Sequence, residues 1–200
     1  MIISTPSFPY DARTPFEGFD LDACARILDE EVAKGAAICM PHTDTTDVMI
    51  DKCTRQHRQM DVLCRLIRER GMGTGLSTHV PESVVFADET GLDVDTYIQI
   101  FNSMGFLMQV EVDWVAHIIR NAKKPVITIK SMAAGQLRPF QALTFSWNAI
   151  RDCDMVTAGT MAPEEAAELI DLSLGILEHR QATPELQRTR SKSTLMAAPE

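Results

Sequence analysis

The chain lacks several signatures that would assign a chemistry directly. It has no CxxC pair, and its five cysteines (Cys24, Cys39, Cys53, Cys64 and Cys153) are odd in number. A disulfide framework and a thiolate zinc site are therefore not expected, and reduced thiols in a cytoplasmic setting are. No HxH or HExxH spacing occurs, so no metal motif is written into the sequence. No glycine-rich GxGxxG follows the first apolar run, which counts against a dinucleotide-binding Rossmann fold. No apolar run reaches the 18 residues or so of a membrane span. The N-terminus, MIISTPSFPYDAR, has no basic region ahead of its apolar residues and does not read as a signal peptide. A basic stripe is absent too: 28 acidic residues outnumber 19 basic ones, for a net charge of -9. Neither nucleic acid nor an anionic membrane is an expected partner.

What is present is an alternation of short apolar runs with helical periodicity. Met1–Ser4 reads as a buried strand, followed by a proline-marked loop (Pro6, Pro9, Pro15). Asp20 suits the N-cap of a helix over Leu21–Lys34, with Leu21, Cys24, Ala25, Leu28 and Val32 on one face and Gly35 as its stop. Ala36–Met40 has strand length and runs into a polar loop, PHTDTTD. Asp51–Arg70 reads as one helix with an apolar stripe of Met60, Leu63, Cys64 and Ile67. Strand Thr74–Thr78, weakened by Gly73 and Gly75, leads through Pro81 into helix Glu82–Glu89. Then come strand Thr96–Phe101, helix Val112–Asn121, strand Pro125–Ile129, helix Phe140–Ile150 and strand Asp154–Ala158. A last helix starts near Pro163, with Ala167, Ile170, Leu174 and Leu177 as its apolar face. Trp114 and Trp147 fall in helices and are expected to pack on the sheet or fill an interface. One domain is expected over 1–180 and a polar, disordered tail over 181–200.

Strands flanked by helices on both sides call for a parallel sheet buried on both faces. The expected fold class is α/β, TIM-barrel-like and partial, with about six β/α units where a full barrel of about 250 residues has eight. Sites in such folds form at the C-terminal ends of strands. His42, His79, Asn102 and Lys130 have that address. His42 reads as a general acid or as a hydrogen-bond donor to a carbonyl, or else as a loop histidine satisfied by Asp44 or Asp47. His79 could join it, and the two histidines with Glu111 or Asp113 could hold a divalent metal. Lys130 could bind an anion or form a Schiff base. Thr157–Thr160 has the small residues of a phosphate-binding turn, and of ordinary turns too. His57, His117 and His179 fall in helical segments and read as structural or exposed. The apolar loop with Met104, Phe106, Leu107 and Met108 reads as a lid or an association surface, and a homo-oligomer is expected.

The stretch KPVITIKSMAAGQLRP resembles the seventh strand and following loop of the aldo-keto reductases. DMVTAGTMAPEEAAELID resembles that family's eighth strand and C-terminal helix. Gln99-Ile100-Phe101-Asn102 resembles its sixth strand, Thr74–Glu82 its fifth, and Met1–Thr5 its third, while His42 lies where the family's catalytic histidine ends the fourth. The family usually has serine-asparagine where this chain has Thr78-His79, and a catalytic lysine where it has Pro6. The resemblance implies that the first two barrel strands, with the family's catalytic aspartate and tyrosine, lie outside this chain. It further implies that Lys130 and Ser131 approach the phosphate of a nicotinamide cofactor, NADP or NAD, and that Gln99 and Asn102 hold its amide. His42, His79 and Lys130 are then the catalytic candidates. Three functions are open at this point. One is an oxidoreductase acting on a small carbonyl substrate. Another is a metal-assisted lyase, isomerase or hydrolase using His42 and His79. The third is a non-catalytic barrel remnant with a binding or assembly role.

Overall fold

A computed structural model describes residues 1–180; the tail expected from 181 onward lies outside the described residues. The elements run β1 (Ile2–Ser4), α1 (Leu21–Ala33), β2 (Ala36–Cys39), α2 (Thr43–Thr46), β3 (Ile50–Asp51), β4 (Gln56–His57), α3 (Met60–Glu69), β5 (Gly73–Thr78) and α4 (Glu82–Thr90). They continue with β6 (Thr96–Ile100), α5 (Val112–Asn121), β7 (Val126–Ile129), α6 (Pro139–Ala149), β8 (Met155–Val156) and α7 (Pro163–Leu177). Six strands form a parallel sheet in the order β1-β2-β5-β6-β7-β8, the partial TIM-barrel-like arrangement that the alternation calls for. Strand burial follows position. Every residue of β6, and every residue of β5 after Gly73, is buried, whereas β1 and β8 at the ends of the order have no buried residue. Central strands are covered on both faces, and end strands are not.

Contacts group the chain into two units: residues 1–99 with 121–126, and 100–120 with 127 onward. In the first unit, β2 pairs with β1 and β5, and β5 pairs with β6 through Gly75↔Thr96 to Thr78↔Gln99. Gly75 is required by this packing. A Cβ there would lie 2.7 Å from the Thr96 carbonyl oxygen and 2.9 Å from the Met40 side chain, so the glycine read as a weakness is what lets the strands close up. Asp20 caps α1 by accepting from the Ala23 N–H. The face that α1 buries is Cys24, Leu28 and Glu31, with the Glu31 carboxylate held by Lys34. Leu21 and Val32, expected on that face, are exposed.

Two stretches of this unit differ from the reading of the sequence. The polar loop after β2 folds instead into α2 and a 3-10 turn, Asp47–Met49. The long helix expected from Asp51 begins only at Met60. Residues 50–57 form an antiparallel hairpin, β3 with β4. The Asp51 carboxylate accepts from the N–H groups of Cys53 and Thr54 and from the Arg58 guanidinium, which offers the backbone a turn in place of a helix. Arg55 and Gln59 then adopt left-handed φ values of 56° and 61°. From Met60 on the expected stripe holds, with Met60, Leu63, Cys64 and Ile67 all buried. His57 consequently lies in a strand, not in a helix.

In the second unit β7 pairs with β8, Ile127↔Met155 and Thr128↔Val156. Helix α5 buries Val115, Ala116, Ile118 and Ile119. Trp114 does not pack on the sheet; it is 53% exposed and stacks on His117. The Asp154 side chain is fully buried before β8 and accepts from the Arg151 backbone N–H, Nε and Nη2. The expected inward face of α7 is wrong. Ile170, Leu174 and Leu177 are 60%, 44% and 52% exposed, while Leu172 and Gly175 are buried.

Candidate functional site

The first unit assembles a polar cluster where β2 and β5 end. The pairing of β1 with β2 continues beyond the strands, since Met40 N–H donates to Ser4 O and His42 N–H to Pro6 O. This delivers His42 to the N-cap of α2. Its Nδ1 lies 3.1 Å from Asp44 Oδ1 and 3.4 Å from the Asp44 backbone N–H. One nitrogen cannot serve both. A protonated Nδ1 donates to the carboxylate; a bare one accepts from the amide. Ser7 Oγ donates to the other carboxylate oxygen, Oδ2, at 2.6 Å, and Tyr10 Oη donates to the Asp44 carbonyl at 3.4 Å. Burial pushes the Asp44 carboxyl up, but the Ser7 hydroxyl and His42 outweigh it and hold the group below its ordinary range. The result is a Ser7–Asp44–His42 chain. The carboxylate orients the imidazole through Nδ1, and Nε2 makes no hydrogen bond among the described residues. The His42 and Asp44 side chains are 44% and 55% exposed, so the pair is open to solutes.

Asp47 anchors the other end of the same segment. Its carboxylate accepts from Thr43 Oγ1, from Thr78 Oγ1 and from the His79 backbone N–H. His42 and His79 thus stand at the ends of adjacent strands, tied to one short helical segment through Asp44 and Asp47. Gln99 is fully buried in β6, in register with Thr78. Among the described residues no group of three or more His, Cys, Asp or Glu side chains could hold a metal ion, so the set of His42, His79, Glu111 and Asp113 does not come together as one.

His57 is the residue whose setting the sequence hid. It is 8% exposed, and its Nε2 lies 2.7 Å from Ser83 Oγ in the first turn of α4. Its Nδ1 is buried without a partner. Burial holds this imidazole down at about 4, against the pull of the Asp47 charge. Serine and imidazole at this distance resemble an activated nucleophile, but Ser83 is fully buried and no substrate reaches it. A cleft of about 530 Å³ lies beside His57, lined also by Cys64, Arg65, Arg68 and Asp93. Its lining continues to Thr90, Gly91 and Leu92 ahead of β6, and its Arg68 is committed to Asp93 and Asp95.

In the second unit the fully buried Asn102 folds its own loop. Its Oδ1 accepts from the N–H groups of Met104 and Phe106, and its Nδ2 donates to Phe106 O. The loop it organises exposes Met104 and Leu107. Lys130 follows β7 with a left-handed φ of 59°, and Ala133 and Ala134 come next at 48° and 54°. Three such non-glycine residues within five positions cost on the order of 1 kcal/mol each. Between them Ser131 is 2% exposed, and its Oγ has no hydrogen-bond partner among the described residues. The turn of Thr157–Thr160 is less inviting to phosphate, because the Glu165 carboxylate already accepts from the Met161 N–H at the start of α7.

Two solved structures from Pseudomonas aeruginosa, both described as candidate aldo-keto reductases, share this fold. One has a TM-score of 0.62 at 15% identity, over 88% of this chain and 64% of its own. The other has a TM-score of 0.56 at 16% identity, over 80% of this chain and 62% of its own. The chain therefore spans less than two thirds of the length of either. No family model matches the chain, and no curated protein does. The likeness is one of fold, an aldo-keto-reductase-like α/β arrangement of which this chain holds a part.

Proposed function

We propose that the chain is a divergent aldo-keto-reductase-like oxidoreductase that acts on a small carbonyl compound with a nicotinamide cofactor. The observation that carries the cofactor half is Ser131. A buried hydroxyl without a partner, inside a turn held left-handed at three non-glycine positions, is unfavourable unless a ligand completes it. The N–H groups of Ala133, Gly135, Gln136 and Leu137 are spent on carbonyls of the turn, so what the turn offers an anion is the Ser131 hydroxyl, with the Lys130 cation next to it in the chain. A phosphate of the cofactor is the anion that fits these groups. When bound, the reduced nicotinamide supplies hydride to the carbonyl carbon. His42 donates its Nε2–H to the carbonyl oxygen and gives up that proton to it as the alcohol forms, and Asp44, itself held by Ser7, orients the ring through Nδ1. Gln99 and Asn102 are the remaining cofactor candidates, and His79 a second polar group beside His42. The metal-assisted reading has no three-ligand group behind it among the described residues.

Fluorescence titration with NADPH and NADH tests this reading. Saturable binding is expected, weakened about tenfold or more by Lys130→Ala or Ser131→Ala, the cost of one charge-assisted hydrogen bond. His42→Ala should leave binding intact and abolish carbonyl-dependent oxidation of the cofactor. No binding of either nucleotide at millimolar concentration would refute it.

A further inference from the structure

Helix α2 is only four residues long, Thr43–Thr46, and a helix that short does not hold itself. Its support comes from two sides. From the loop after β1, Pro6 O accepts from the His42 N–H, the Ser7 hydroxyl donates to Asp44, and the Phe8 N–H donates to Thr45 Oγ1. From β5 come the Ser77 N–H, which donates to Pro41 O, and the contacts of one side chain, Asp47. Asp47 Oδ2 accepts from Thr43 Oγ1 at 2.8 Å, beside His42 in the chain. Its Oδ1 accepts from Thr78 Oγ1 at 2.5 Å, and the His79 N–H lies 3.3 Å and 3.2 Å from the two oxygens. One carboxylate thus joins the end of β5 to the first turn of the helix that His42 caps.

We propose that Asp47 is a positioning residue for His42. By linking α2 to β5 it holds the imidazole and its Asp44 partner in place for carbonyl reduction, a consequence that rests on the function proposed above. The fold has less need of the link than the site has. Without Asp47 the buried Thr78 hydroxyl still has an acceptor in Val80 O at 3.2 Å, and the half-buried Thr43 can turn to water. The link does not need a charge either. A hydroxyl both donates and accepts, so an asparagine could accept from one threonine and donate its amide hydrogen to the other. An alanine could do neither.

Nitrogen-15 NMR of the imidazole rings, on the full chain without cofactor or substrate, tests the link. The hydrogen bond that a ring nitrogen makes sets which nitrogen carries the proton. In the parent, Asp44 should keep the proton of neutral His42 on Nδ1. Asp47→Ala should retain a cooperative melt yet release His42 to a mixture of tautomers. It should also lower kcat for carbonyl reduction about tenfold or more, with cofactor affinity unchanged. Asp47→Asn should match the parent in both respects. Thr43→Val cuts only the α2 end of the link and should shift His42 in the same direction, so it decides the matter if Asp47→Ala does not fold. A His42 ring that is already mixed in the parent, or indifferent to Asp47→Ala and Thr43→Val, overturns the inference. So does an Asp47→Asn variant as impaired as Asp47→Ala, since the charge and not the link would then be the cause. A parent chain that reduces no carbonyl refutes the function proposed above, and the ring signals then decide the role of Asp47 alone.

Discussion

His57 should make folding stability depend on pH in a window where few other groups titrate. Burial lowers its imidazole from the ordinary 6.5 to about 4 in the folded chain. Below pH 6.5 the unfolded chain takes up a proton that the folded chain refuses. The stabilising contribution is therefore complete above pH 6.5 and is lost as the pH falls toward 4. A difference of about 2.5 units corresponds to roughly 3 kcal/mol over the whole window, and to about 2 kcal/mol between pH 7.5 and pH 5. In a chain of this size that is a fall in Tm of about 4–8 °C. Asp44, Asp51, Asp93 and Asp95 are held below their ordinary 3.8, so their contributions are lost only at lower pH and do not enter this comparison. The assay is urea unfolding at pH 7.5, 6 and 5, for the parent and for His57→Gln, whose amide can still hydrogen-bond Ser83 but cannot titrate. The parent should lose about 2 kcal/mol more than the variant over that range. Equal losses in the two proteins would refute the reasoning, since they would mean that the folded chain protonates His57 without penalty.

Other consequences follow from packing and pairing. Gly75→Ala drives a methyl group into the Thr96 carbonyl and Met40, and should cost about 1–3 kcal/mol; Gly159→Ala meets nothing within 4 Å and should cost nothing, both read by thermal melts. Asp154→Asn breaks the pair with Arg151 at a fully buried carboxylate and should cost about 3 kcal/mol by urea unfolding. Ser7→Ala removes a 2.6 Å hydrogen bond to the Asp44 carboxylate, and carbon-13 NMR titration should show Asp44 moving up toward its ordinary 3.8.

The polar residues at strand ends were legible because a parallel strand delivers whatever follows it to one edge of the sheet. His42, His79, Asn102 and Lys130 were found by that rule alone. Asp44 was legible as a partner of His42, but the residues behind it were not. Ser7 and Tyr10 sit in a proline-marked loop with no motif, and only the continued pairing of β1 with β2 brings them to Asp44. Ser131 was legible as a residue type after a strand, but its buried, unpartnered hydroxyl depends on a left-handed turn that no propensity announces. His57 changed character because the Asp51 carboxylate, competing for the Cys53 and Thr54 N–H groups, made a hairpin where a helix was expected. His42 became an N-cap because the chain folded a helix where a loop was expected.

The sequence by itself determined the α/β class, the order of strands and helices, and the limits of most of them, because periods of 2 and 3.6 and the Gly and Pro boundaries are local properties. Tertiary structure decided which way each apolar stripe faces. Periodicity marks a stripe without saying what lies opposite it, and α7 has apolar residues on two sides. The same four residues that read as its inward face, Ala167, Ile170, Leu174 and Leu177, point away from the protein. The side that packs inward was settled by the fit of Leu172 and Gly175 against their neighbours, a long-range match that no window of sequence contains.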